Sequence, residues 1–112
     1  MRAEALVIML DGPAWLGDVL RNHGFKVVRR YQKSALPTFV LGGASAIQNA
    51  HRVPNLRGVI LWNARGTKST DLAVPLLLIN SDPIDAPDVT RFSGRDMKLA
   101  AKLVVRFIAV HS

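Results

Sequence analysis

The chain has 112 residues, 15 Lys and Arg against 8 Asp and Glu, no Cys, and 49% hydrophobic residues. That length is typical of one domain able to bury a core unaided, and a chain without Cys has neither disulfides nor thiolate chemistry. The many aliphatic residues argue against disorder, and the longest apolar runs fall far short of the ~20 residues that cross a bilayer.

No signal peptide is expected, because Arg2 and Glu4 precede a short apolar stretch without a cleavage site. A cytoplasmic domain that does not engage membranes is therefore expected. In chain order, Ala5 to Leu10 (ALVIML) is a continuous apolar run, as in a strand buried on both faces. Asp11-Gly12-Pro13 ends it and opens a helix to about Asn22, with Pro13 near its first turn and Gly24 as its stop. Trp15, Leu16, Val19 and Leu20 form its apolar side. Phe25 to Val28 reads as a second strand, and Leu36-Pro37 then breaks the chain. Thr38 to Leu41 is a short strand closed by Gly42-Gly43, and Ala44 to His51 a helix ending before Pro54. Arg57 to Trp62 is a strand, Asn63 to Asp71 a polar loop, and Pro75 to Ile79 the most strand-like segment. Asn80-Ser81-Asp82-Pro83 is rich in turn formers and reads as a turn that satisfies its own backbone. Val89 to Phe92 reads as a last edge strand.

The closing helix is the best-defined element. Ser93 and Asp96 have capping-box spacing, with Asp where Glu or Gln is usual. Met97, Ala100, Ala101, Val104, Phe107 and Ile108 recur at helical spacing as the apolar face. Arg95, Lys98, Lys102 and Arg106 run along the opposite side. That stripe reads either as a solvated face or as a surface for an anion or a partner.

Apolar strands alternating with helices imply crossover connections and a mostly parallel sheet covered on both faces. The expected fold is a three-layer α/β/α sandwich around a five-stranded sheet. In such sheets ligands gather at the carboxyl ends of the strands. Those ends carry Asp11, Gly42-Gly43, Asn63, Asn80-Ser81-Asp82 and Arg91.

The order of elements, the Asp11 strand end, the Leu20-x-x-x-Gly24-Phe25-x-Val27 run, Gly58 to Asn63 (GVILWN), Val74 to Ser81 (VPLLLINS) and Arg91 before a terminal helix resemble the receiver domains of response regulators. The resemblance implies a flavodoxin-like fold and two-component signal transduction. In that family, acids after the first strand bind Mg²⁺, an Asp ending the third accepts the phosphoryl group, a Ser or Thr ends the fourth, and a Lys follows the fifth. The matching positions are Asp11, Asn63, Asn80 or Ser81, and Arg91. Thr38 to Leu41 has no counterpart.

The departures decide what the resemblance implies for chemistry. Gly12 replaces a second acid, leaving one carboxylate where a divalent ion wants several oxygen ligands. Asn63 has no nucleophilic carboxylate, so no aspartyl phosphate forms there. No Met-Pro pair follows Asn63, and no Pro follows Arg91. The expectation is a pseudo-receiver, a single domain over residues 1–112 of the kind carried by larger signalling proteins. Arg57 to Leu61 and Val74 to Ile79 also resemble the amino-terminal half of periplasmic-type sugar-binding domains, but those need a second lobe for which this chain is too short.

Other chemistry finds little footing. His23, His51 and His111 lack metal-ligand or triad spacing, Gly42-Gly43 lacks the Lys of a P-loop, and neither a cofactor nor a metal is expected. Arg29, Arg30, Tyr31, Gln32 and Lys33 leave the second strand with two guanidinium groups and a ring. That set suits either a solvated strand end or an anionic nucleotide such as a cyclic dinucleotide. The net charge of +7 points to polyanions, yet the basic residues are scattered, without the aromatic interleaving or reading helix of a nucleic-acid module. The function expected is a non-catalytic regulatory domain that docks another protein or domain of a signalling pathway. Two alternatives stay open: a phosphoacceptor or small hydrolytic enzyme using Asp11 and Ser81, and a basic nucleic-acid-binding domain.

Overall fold

Every long apolar run of the sequence lies inside one parallel sheet. The computed structural model describes residues 4–66 and 69–112; Arg2, and Thr67 and Lys68 of the polar 63–71 loop, lie outside the described residues. Its elements are β1 (Leu6–Met9), α1 (Ala14–Asn22), β2 (Lys26–Val28), β3 (Thr38–Gly42), α2 (Ser45–Ala50), β4 (Leu56–Trp62), β5 (Leu76–Ile79), β6 (Val89–Phe92) and α3 (Met97–His111). The sheet order is β2-β1-β3-β4-β5-β6, and all neighbours pair in parallel. This is a three-layer α/β fold with the flavodoxin-like order extended by one strand.

The sheet therefore has six strands where five were expected. Thr38–Gly42 is not an unmatched extra: it pairs with β1 on one side and β4 on the other. Its residues are buried throughout, including Thr38, whose hydroxyl donates to the Leu36 carbonyl at 2.9 Å.

Side-chain alternation sorts the core into two layers. Val7, Met9, Phe39, Leu41, Ile60, Trp62, Leu77 and Ile79 face α1 and α3. Leu6, Ile8, Val40, Val59, Leu61, Leu76 and Leu78 face α2. On that second face the 29–37, 63–75 and 80–88 connections contribute Leu36, Leu72 and Ile84 as cover. Burial on both faces explains why these strands are unbroken aliphatic runs.

Both flanking helices have legible ends. Pro13 stands extended before α1, and Leu16 and Leu20, four apart, are its buried ridge. Gly24, at φ +91, closes it in a Schellman arrangement: its N–H donates to Arg21 O at 2.9 Å and the Phe25 N–H to Leu20 O at 3.2 Å. At α3 the cap is Asp96, whose carboxylate accepts the Leu99 N–H at 3.1 Å. The Ser93 capping box is therefore corrected: the helix starts one turn later than that spacing implies. Phe107 of α3 meets Phe39 edge-to-face at 6.0 Å over Gly58. A Cβ on Gly58 would stand 2.7 Å from the Phe107 ring, so the missing side chain is the seat of that ring.

Candidate functional site

At the carboxyl edge, Asn63 and Asn80 each extend the sheet by one hydrogen bond before the chain turns away. The Asn63 N–H donates to Ile79 O at 2.9 Å and the Asn80 N–H to Phe92 O at 2.8 Å. Both then adopt left-handed backbone, φ +52 and +49, a conformation Asn tolerates better than most residues.

The segment following β5 is a clamp. Asn80 Oδ1 accepts the Gly94 N–H and its Nδ2 donates to Gly94 O, both at 2.8 Å. Ser81 Oγ accepts the Ala64 N–H at 2.9 Å, and its one proton points among Leu61 O at 2.9 Å and Ile79 O at 3.1 Å. Asp82 Oδ2 accepts the Gly66 N–H at 2.9 Å, while Arg65 donates to Asn80 O at 2.8 Å. The expected self-satisfied turn is thus corrected. Apart from the Ile79 contact, these side chains bond across to the 64–66 loop, β4 and Gly94.

Asp11 and Asn63 come together as expected of strand ends. They line an open cleft of about 410 Å³ with Trp15, Trp62 and Met97. Asp11 is exposed, and its Oδ1 accepts the Gly12 N–H at 2.8 Å. Gly42 and Gly43 stand beside this turn, and a Cβ on Gly42 would make an ordinary contact, 3.5 Å, with the Asp11 nitrogen. The positional match to a receiver shifts here, because Asn63 ends the fourth strand and the third ends at Gly42. Arg91 lies within β6, exposed at the sheet edge, and not after the last strand.

The other candidates stand apart from this cleft. Arg29, Arg30, Tyr31 and Lys33 are exposed, with Gln32 partly buried, on the connection leaving β2 at the opposite edge of the sheet. The Tyr31 hydroxyl donates to Arg52 O, just past α2, at 3.2 Å, leaving the residue 48% exposed. The basic residues of α3 divide. Lys98 and Lys102 edge a groove of about 390 Å³ between α1 and α3. Arg106 edges a smaller cleft of about 240 Å³ toward β6, and Arg95 precedes the helix.

The α1–α3 groove is the largest departure from the sequence reading of these side chains. Its walls are Trp15 and Val19 from α1 and Met97 and Val105 from α3, with Ala101 as floor. Trp15 belongs to the apolar side of α1, yet it is 40% exposed and stands edge-on to buried Trp62 at 5.9 Å. The signal was in the width of the α1 stripe. Leu16 and Leu20 suffice to seat a short helix, so Trp15 and Val19 form a second apolar row, and it faces the groove. A second feature missed is a polar hollow of about 720 Å³ between α2 and the 69–71 and 85–87 segments, where His51, Asp71 and Asp85 gather. Among the described residues, no group of three or more His, Cys, Asp or Glu is placed to hold a metal ion. Nor is any helix among them long and apolar enough to cross a membrane.

Comparison with protein-family models, curated proteins and solved structures finds no match to this chain.

Proposed function

We propose that this chain is a non-catalytic, receiver-like regulatory domain of a cytoplasmic signalling protein, and that it works by docking a partner through the α1–α3 face. The observation carrying this reading is the groove itself: an apolar channel between two helices, lined by a half-exposed tryptophan and edged by two lysines. Exposed apolar surface of this kind is costly unless something covers it. The chemistry at the carboxyl edge supports the non-catalytic half. Asp11 offers one carboxylate, Asn63 an amide, and the Ser81 proton is engaged by backbone carbonyls. A hydroxyl held in this way is a poor nucleophile without a base to take its proton.

Two measurements test the reading. Incubation with acetyl phosphate and Mg²⁺ followed by intact mass should show no phosphoryl-sized increase; a stable adduct overturns the non-catalytic claim. Anilinonaphthalene sulfonate, an apolar anion, should bind saturably with enhanced emission, and V105E, with its far-UV spectrum unchanged, should abolish that binding. Binding unaffected by V105E overturns the groove as the docking surface.

A nucleotide-type ligand acting on this docking has its best support at Tyr31, a half-exposed residue flanked along the chain by exposed Arg29, Arg30 and Lys33. Titration with a cyclic dinucleotide should then shift amide resonances from Arg29 to Lys33; unmoved resonances there remove that regulatory ligand. The ligand would act only by binding the docked and free forms unequally.

A further inference from the structure

We infer that the occupant of the α1–α3 groove is an acidic amphipathic helix supplied by the partner, an inference that rests on the docking reading above and names the chemistry of what docks.

Charge and dimensions carry it. The ionisable residues lining the groove are Lys98, Lys102 and His23; no carboxylate lines it among the described residues. The two ion pairs seen among the described residues, Arg21 with Asp18 and Arg65 with Asp82, involve neither lysine. Both lysines are exposed and lie four apart on α3, one above the other on the same edge. They match acids spaced one turn apart on a facing helix. The apolar part runs along α3 from Met97 to Val105, eight helical rises and so about 12 Å of helix. Three anchors at i, i+4 and i+7 on a partner helix span about 10 Å, which fits that length. Trp15 offers the large aromatic wall on which such anchors gain most.

The same observations disfavour a second copy of the chain. A two-fold contact sets this patch against a copy of itself, which would gather four lysines and, among the described residues, no carboxylate of the groove lining into one interface, on a molecule already carrying a charge of +7. They also disfavour a nucleic-acid backbone, since between the lysines and His23 the groove is walled by Trp15, Val19, Met97, Ala101 and Val105, an apolar lining that suits side-chain anchors better than phosphates.

The experiment is an array of helical peptides of about four turns. Anchors are varied among Leu, Ile, Met and Phe, and the flanking positions among Glu, Gln and Lys. Binding to the full chain is read by anisotropy and by Trp emission. Glu-flanked peptides should bind best, and K98E/K102E should weaken them roughly tenfold at low salt and little at high salt, where exposed charges are screened. Preference for Lys-flanked or Gln-flanked peptides, or indifference to charge reversal, overturns the inference. So does sedimentation showing a dimer that V105E dissolves. If the dye test above succeeds while no peptide binds, the acidic helix is refuted and the docking groove stands; if both fail, the reading beneath it fails as well.

Discussion

Replacing Ser81 with Ala separates a structural clamp from a catalytic hydroxyl. The Ala64 N–H that Ser81 accepts belongs to a residue only 2% exposed, so removal of the oxygen strands a donor out of reach of bulk water. That penalty is about 1–3 kcal/mol, and the lost bond to Leu61 O adds about 1 kcal/mol. A total of about 2–4 kcal/mol is a large share of a small domain's stability. In urea, with a slope near 1–1.5 kcal/mol/M, the midpoint should fall by roughly 2 M. Amide exchange at Ala64 should accelerate at the same time, while exchange at Val40 in the sheet centre should follow only the global loss. S81T keeps the hydroxyl and should recover most of the difference. A loss below about 0.5 kcal/mol with Ala64 exchange unchanged would refute the clamp, since that is the range of surface substitutions without special contacts.

Two further contacts, Gly58 with Phe107 and the cap of α3, are open to substitution. Gly58→Ala places a Cβ 2.7 Å from the Phe107 ring and should cost about 1–3 kcal/mol by overpacking; Phe107→Leu in the same chain should cost less than it does alone, a coupling readable in a double-mutant cycle of thermal or urea unfolding. Asp96→Ala should cost about 1 kcal/mol as a lost helix cap, whereas Ser93→Ala should be near neutral by the same measurement; the reverse order would restore Ser93 as the cap.

The strands were readable because burial on both faces leaves a mark in one short window: ALVIML, GVILW and PLLLI have no polar residue to interrupt them. Gly24 was readable as a stop for a similar local reason. The order of strands in the sheet was not, because the place of Thr38–Gly42 between β1 and β4 depends on residues some 18 and 32 positions away. That one strand moved Asn63 from the end of a third strand to the end of the fourth. Ser93 and Asp96 illustrate a local ambiguity: both are good caps, and only the start of the helical hydrogen bonding selects Asp96. The Ser81 clamp was invisible because its partners, Leu61 and Ala64, lie 20 and 17 residues earlier. The lysines of the groove stand out in the sequence as part of a stripe, but the apolar side of α1 does not by itself separate Trp15 and Val19, which line the groove, from buried Leu16 and Leu20. An apolar residue beside another helix and one inside the core carry the same hydrophobic pattern.

The strand order also shapes how the chain must assemble. β3, β4, β5 and β6 are neighbours both along the chain and across the sheet, so each can add to the growing edge left by the last. β1 is different: it pairs with β2 and β3 at once, joining Leu6 to Lys26 and to Thr38. Among the described residues the shortest separation between paired strand residues is thirteen, from Leu76 to Val89, so no hairpin is seen there to nucleate the sheet cheaply. The amino-terminal strand becomes a keystone. Until it is seated, β2 has no neighbour and the inner edge of β3 stands open, ready to pair with another chain. Seating of β1 therefore closes two strand edges at once, each of which would otherwise be open to pairing with another chain.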